Sequence, residues 1–147
     1  MENLFVPYQE AKILKEQLGF NEPCLALFDE TNQNGVRFEI ISSQLVNSNF
    51  NTPKYFYKPA NYPVVLTPTW DQVFEWFREK HKLDGHVHSY RKNYHFTIID
   101  RKKFVNLTVN DPILYGGILQ GSGIEFETTL SAKLACLNKL IEIVKTK

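Results

Sequence analysis

Apolar runs of about eighteen residues, the length that spans a bilayer, are missing from this sequence, so no membrane-crossing helix is expected. No charged-then-apolar leader opens it either, which points to a cytoplasmic location. Cysteine is scarce. The two present, Cys24 and Cys136, sit in apolar runs and form no Cys-x-x-Cys pair. That excludes a disulfide framework and a thiolate zinc knuckle, and it fits two buried thiols in a reducing compartment. Charge of one sign is not in excess: the formal net charge is +1, so overall charge calls for no polyanionic partner. Catalytic signatures are absent as well. There is no Gly-x-Ser-x-Gly and no His-Glu-x-x-His, and the glycines between Asp111 and Gly123 are not followed by Gly-Lys-Ser/Thr.

What remains is an ordinary globular composition with one biased region. A chain of 147 residues, 43% hydrophobic and 14% aromatic, is long enough to bury a sizeable core and fits a single domain over 1–147. Residues 78–103 carry eight Lys/Arg against three Asp/Glu, whereas residues 1–77 carry five against nine. Such asymmetry marks an electrostatic footprint.

The basic region belongs to a stretch, Thr67 to Ile99, that reads as helix, glycine stop and β-hairpin. Thr67 is the natural N-cap before Pro68, with Thr69 as a rival because Gln72 completes a capping box. Trp70, Val73, Phe74, Phe77 and His81 share one helical face, a core stripe. Trp76 sits at its edge, where packing and an exposed anchor are both open. Gly85 is the expected stop.

Upstream, Pro7 to Leu18 predicts a helix closed by Gly19, with Pro7, Ala11, Leu14 and Leu18 on one face. Cys24–Asp29 is a continuous apolar run, as in a central strand. Asn34-Gly35 marks a turn before Val36–Ile41, in which Val36, Phe38 and Ile40 alternate with Arg37 and Glu39. The order helix–glycine–hairpin thus occurs twice, a weak α-β-β quasi-repeat. Ser42–Val65, rich in Asn, Pro and Tyr, separates the copies as a long loop, either an ordered arm or a partner-binding segment. Downstream, Lys103–Val109 and Ile124–Glu127 read as strands, with a glycine-rich loop over Asp111–Gly123. Thr128 caps a last helix from Thr129 to about Lys145. Leu130, Leu134, Leu137, Ile141 and Val144 form its apolar stripe, widened by Cys136 and Leu140.

Two constellations carry chemistry. His86 and His88 lie on one strand face about 7 Å apart, a spacing that suits two metal ligands. His95 lies across the hairpin, where it could join them, although alternation places it beside Thr97 and Ile99, toward the other face; zinc needs three or four ligands, and no flanking Cys or carboxylate pair supplies the rest. Tyr90, Arg91, Lys92, Tyr94, Arg101, Lys102 and Lys103 interleave cations with aromatics along the hairpin, as single-strand nucleic-acid readers do. A charged hairpin also serves solubility and protects an edge.

The stretches FVPYQEAKILKEQLGFNEPCLALFDE, WDQVFEWFREKHKLDGHVHSYRKNYHF and TTLSAKLACLNKLIEIVK resemble a family of small uncharacterised bacterial and prophage-borne proteins. The resemblance covers both ends and the centre. It implies a small cytosolic protein and no assigned activity or site residues.

The expectation is therefore an α+β fold, an antiparallel sheet with three helices packed on it, in the order α-β-β-(loop)-α-β-β-β-β-α. The expected function is a non-enzymatic accessory or binding protein with no cofactor. Its partner is an unidentified protein or single-stranded nucleic acid and not a membrane. The alternatives are a nucleic-acid binder using hairpin 86–103 and a metal-dependent enzyme using His86 and His88.

Overall fold

A computed structural model describes residues 2–31, 33–40, 63–104, 114–115 and 125–146. The class is α+β, and the strands are shared between two three-stranded antiparallel sheets. The chain divides into two compact units, Met1–Trp70 and Asp71–Lys147.

In the first unit, helix α1 (Tyr8–Gln17) turns Ala11 and Leu14 inward, both buried, and ends at Leu18 before Gly19. Gly19 has φ +73°, a left-handed conformation that glycine adopts at little cost, and it lets Phe20 N–H reach the Leu14 carbonyl at 2.9 Å. Strand β1 (Ala26–Asp29) is buried along its whole length. It is central in the order β2-β1-β3, as its unbroken apolar run predicts. Strand β2 (Arg37–Ile40) is an edge: Phe38 packs against Phe28 at 5.5 Å and Phe5 at 5.4 Å, while Ile40 is half exposed. The other edge, β3 (Val64–Thr67), pairs with β1 through Ala26↔Thr67 and Leu27↔Leu66.

β3 corrects two expectations. Val64 and Val65 belong to a strand and not to the preceding loop, whose remainder over 42–62 lies outside the described residues. Three prolines nearby hide a strand whose four residues are all buried. Thr67 is the last residue of that strand and not a helix cap: its hydroxyl donates to the Val6 carbonyl at 2.6 Å. Thr69 takes the position before the helix and bridges to Phe5.

Helix α2 (Trp70–Trp76) leads into a π-helical turn over Phe77–His81. Widening to five residues per hydrogen-bonded turn seats both Trp76 and Phe77 in the interior and brings the His81 ring to 4.8 Å from Trp76, five positions back. Trp76 is thus a packing residue, 6% exposed. The helix stops at Lys82 (φ 58°), whose N–H donates to the Phe77 carbonyl, three residues before the expected Gly85.

Strands β4 (Leu83–Tyr90) and β5 (Asn93–Asp100) form the hairpin, closed by the turn Arg91-Lys92. β5 is central in the order β4-β5-β6, where β6 (Leu114–Tyr115) falls inside the stretch expected to be loop. Arg101–Phe104 is a helical turn, α3, so Lys103 begins no strand; 105–109 lies outside the described residues. Phe126 makes an isolated bridge to Tyr94 where a short strand was expected.

Helix α4 (Thr129–Lys145) is capped by Thr128 as expected, its hydroxyl accepting from Ser131 N–H at 3.0 Å. It lies on β4 and β5. The buried face is Ala132, Cys136, Leu137, Leu140, Ile141 and Ile143. The apolar stripe is therefore rotated from the expected one, since Leu130 is exposed and Leu134 and Val144 are half-buried. Ala132 is fully buried in the first turn, where Leu130 faces out.

Candidate functional site

The site is built on the β4–β5 ladder. Cross-strand partners share a face, so Asp84, His86 and His88 stand with Ile99, Thr97 and His95. Leu83, Gly85 and Val87 share the opposite face with Asp100, Ile98 and Phe96. His95 therefore shares a face with the other two histidines, contrary to the expectation drawn from alternation alone. That expectation went wrong because the two-residue turn pairs Tyr90 with Asn93, which sets the register for every later pair. The His88 and His95 rings stack at 6.1 Å, His88 exposed and His95 buried.

Asp84 is the electrostatic centre of the hairpin's base. Its carboxylate is 5% exposed and accepts from Arg78 Nε at 2.9 Å and from the Arg101 guanidinium at 2.7 and 3.1 Å. His86 Nε2 stands 3.0 Å from the same carboxylate. Burial pushes the Asp84 carboxyl upward, but the hydrogen bonds from Arg78 and Arg101, with His86 nearby, outweigh it and hold the group below the ordinary aspartate value. Arg78 also bonds Glu75.

This arrangement separates the predicted cations. Arg101 is committed to Asp84 and is not a loose phosphate ligand. Lys102 is exposed, its N–H held by Asp100 Oδ1 at 3.1 Å, and Lys103 follows in the helical turn. Arg91 and Lys92 are exposed at the other end, where Arg91 takes φ 59° to make the turn. Seven ladder steps separate the two ends, roughly 23 Å at strand rise. Tyr90 ends β4 opposite Asn93, and half-buried Tyr94 pairs with Ser89. The seven residues thus form a tip group and a base group, not one patch.

His86 leans on Asp84, which two arginines already occupy, and among the described residues no group of three or more His, Cys, Asp or Glu is placed to hold an ion. Both cysteines are buried and free, and burial pushes their thiols up to about 12. Among the described residues no helix is long and apolar enough to cross a membrane. No family model, curated protein or solved structure matches this chain. Asp84 was missed from sequence although a signal existed: it is one of only three carboxylates between Arg78 and Arg101, and Glu79 and Asp100 each adjoin one of those arginines.

Proposed function

We propose that this chain is a non-enzymatic, cytoplasmic binding protein that takes an anionic partner on the exposed arm of the hairpin, His86 to Lys92. One observation carries the reading. The arm's cations, Arg91 and Lys92, stand exposed at its turn, while the carboxylate that precedes the arm in β4, Asp84, is buried and met by Arg78 and Arg101. A partner with negative charge meets two exposed cations there. Glu125, near the tip, is engaged by Asn93 Nδ2 at 2.5 Å.

The test is a fluorescence titration at low salt with two labelled polyanions, an acidic peptide and a mixed-sequence single-stranded oligonucleotide. Wild type binds at least one of them, and Arg91→Glu with Lys92→Glu abolishes binding without changing the melting temperature. Binding of neither polyanion, or equal binding by the charge-reversed variant, removes the arm from function.

The nucleic-acid reading is favoured by a second observation, the position of Tyr94 between the tip and base cations. Under it, the tip pair contributes roughly 0.7 per phosphate to the salt slope. Replacing Arg91 and Lys92 by alanine then flattens the slope by about 1.4 on that rule.

A further inference from the structure

The hydrogen bonds of Tyr94 reveal which main-chain groups of β4 face outward. Tyr94 N–H donates to the Phe126 carbonyl and its own carbonyl accepts from Phe126 N–H, each at 2.9 Å. Its ladder partner in β4 is Ser89. Ser89 and Tyr94 are therefore a pair without mutual hydrogen bonds, in which the N–H and C=O of each residue point away from the other. The same parity recurs every second residue, at Val87 and Gly85. β4 is an edge of the sheet, so these groups point off its open side. Among the described residues they have no main-chain partner there. Gly85 is buried, but Ser89 is exposed and Val87 half exposed, and His86 and His88 between them are exposed.

An open row of alternating donors and acceptors is a template for one more strand. Charge chooses the occupant. Lys80 and Lys82 precede this edge and Arg91 and Lys92 follow it, all exposed. Of the carboxylates on the same stretch, Asp84 is buried and already met, which leaves Glu79 on the π-helical turn. A second copy of the chain fits poorly. Two β4 edges joined about a two-fold axis at Val87 set Lys92 opposite the second copy's Lys82, and like charges directly opposite destabilise a strand pair.

We infer that an extended acidic peptide adds to the open edge of β4 between His86 and Lys92. Val87 and Ser89 supply the main-chain hydrogen bonds, and Arg91 and Lys92 meet the carboxylates. This rests on the anionic-partner reading above and names the partner's class and pairing mode.

The experiment uses the full chain and a fluorescein-labelled peptide as long as β4, alternating glutamate and valine. Two analogues carry N-methyl groups on alternate amides, one on each of the two sets. Pairing with β4 needs one set only, so one analogue binds as the parent does and the other at least about tenfold more weakly. Ser89→Pro removes an outward N–H at a position where an edge strand tolerates proline, and it weakens the parent peptide by a similar factor while Ser89→Ala does not. Should Ser89→Pro fail to fold, the two analogues decide alone. Equal binding of parent and both analogues overturns strand addition and leaves the anionic surface standing. Binding of the oligonucleotide without the peptide does the same, and binding of neither overturns both.

Discussion

A Cβ built on Gly85 would stand 3.0 Å from the Cys136 Sγ and 3.1 Å from Leu140 Cδ1, so α4 lies close enough on β4 that a larger residue would push these side chains aside by a few tenths of an ångström. Phe74 Cδ1 closes the same spot at 3.5 Å. The residue that looked like a helix stop is a close-approach glycine inside a strand. Gly85→Ala is expected to cost about 1–3 kcal/mol by overpacking. Cys136→Ala in that background recovers part of the loss, because it removes the nearer atom. Urea unfolding of the two single variants and the double variant measures this, and strictly additive losses would show that the two residues do not touch.

Asp84→Asn tests the hub at the hairpin base. The amide keeps the shape but loses the charge that two arginines address, and a cost of roughly 2–3 kcal/mol is expected, since Arg101 is half exposed and water recovers part of the interaction. The pH dependence has a definite sign. The folded carboxyl titrates below the unfolded value of about 3.9. Its stabilisation is therefore complete well above that value and is lost as pH falls through the folded one. Wild type loses stability on acidification below about pH 4 more steeply than Asp84→Asn does, as equilibrium denaturation at stepped pH measures.

The rotated face of α4 makes a contrast among leucines. Leu137 and Leu140 are fully buried and Leu130 is 38% exposed. Leu137→Ala and Leu140→Ala are each expected to cost about 2–5 kcal/mol through the cavity left behind. Leu130→Ala stays within roughly 0.5 kcal/mol, as for surface changes. Equal losses at all three positions would restore the stripe read from periodicity.

Local chemistry explains what was legible in the sequence. The Thr128 cap, the buried face of α1, the central place of β1 and the Arg91-Lys92 tip each follow from neighbouring residues alone. The differences arise where distant partners decide. β3 is a strand because β1 offers it an edge, despite three prolines upstream. Lys82 ends the helix in a left-handed conformation that a lysine does not advertise. The buried face of α4 includes Cys136 and Leu140, which meet Gly85 of β4, a contact that periodicity within the helix does not show. At the candidate site, the exposed tip was readable, but the loss of Arg101 to Asp84 depends on the hairpin register. Which groups of β4 face its open edge shows in Phe126 pairing with Tyr94 from more than thirty residues away in sequence.

On the function proposed above, the arm His86–Lys92 receives an anionic partner. The most direct measurement is an amide-resolved NMR titration of the full chain with the alternating glutamate–valine peptide and, in a parallel sample, with the single-stranded oligonucleotide. One of them is expected to shift resonances saturably, with the largest changes between His86 and Lys92 and little change in α1. Shifts centred elsewhere, or none with either ligand, would contradict it.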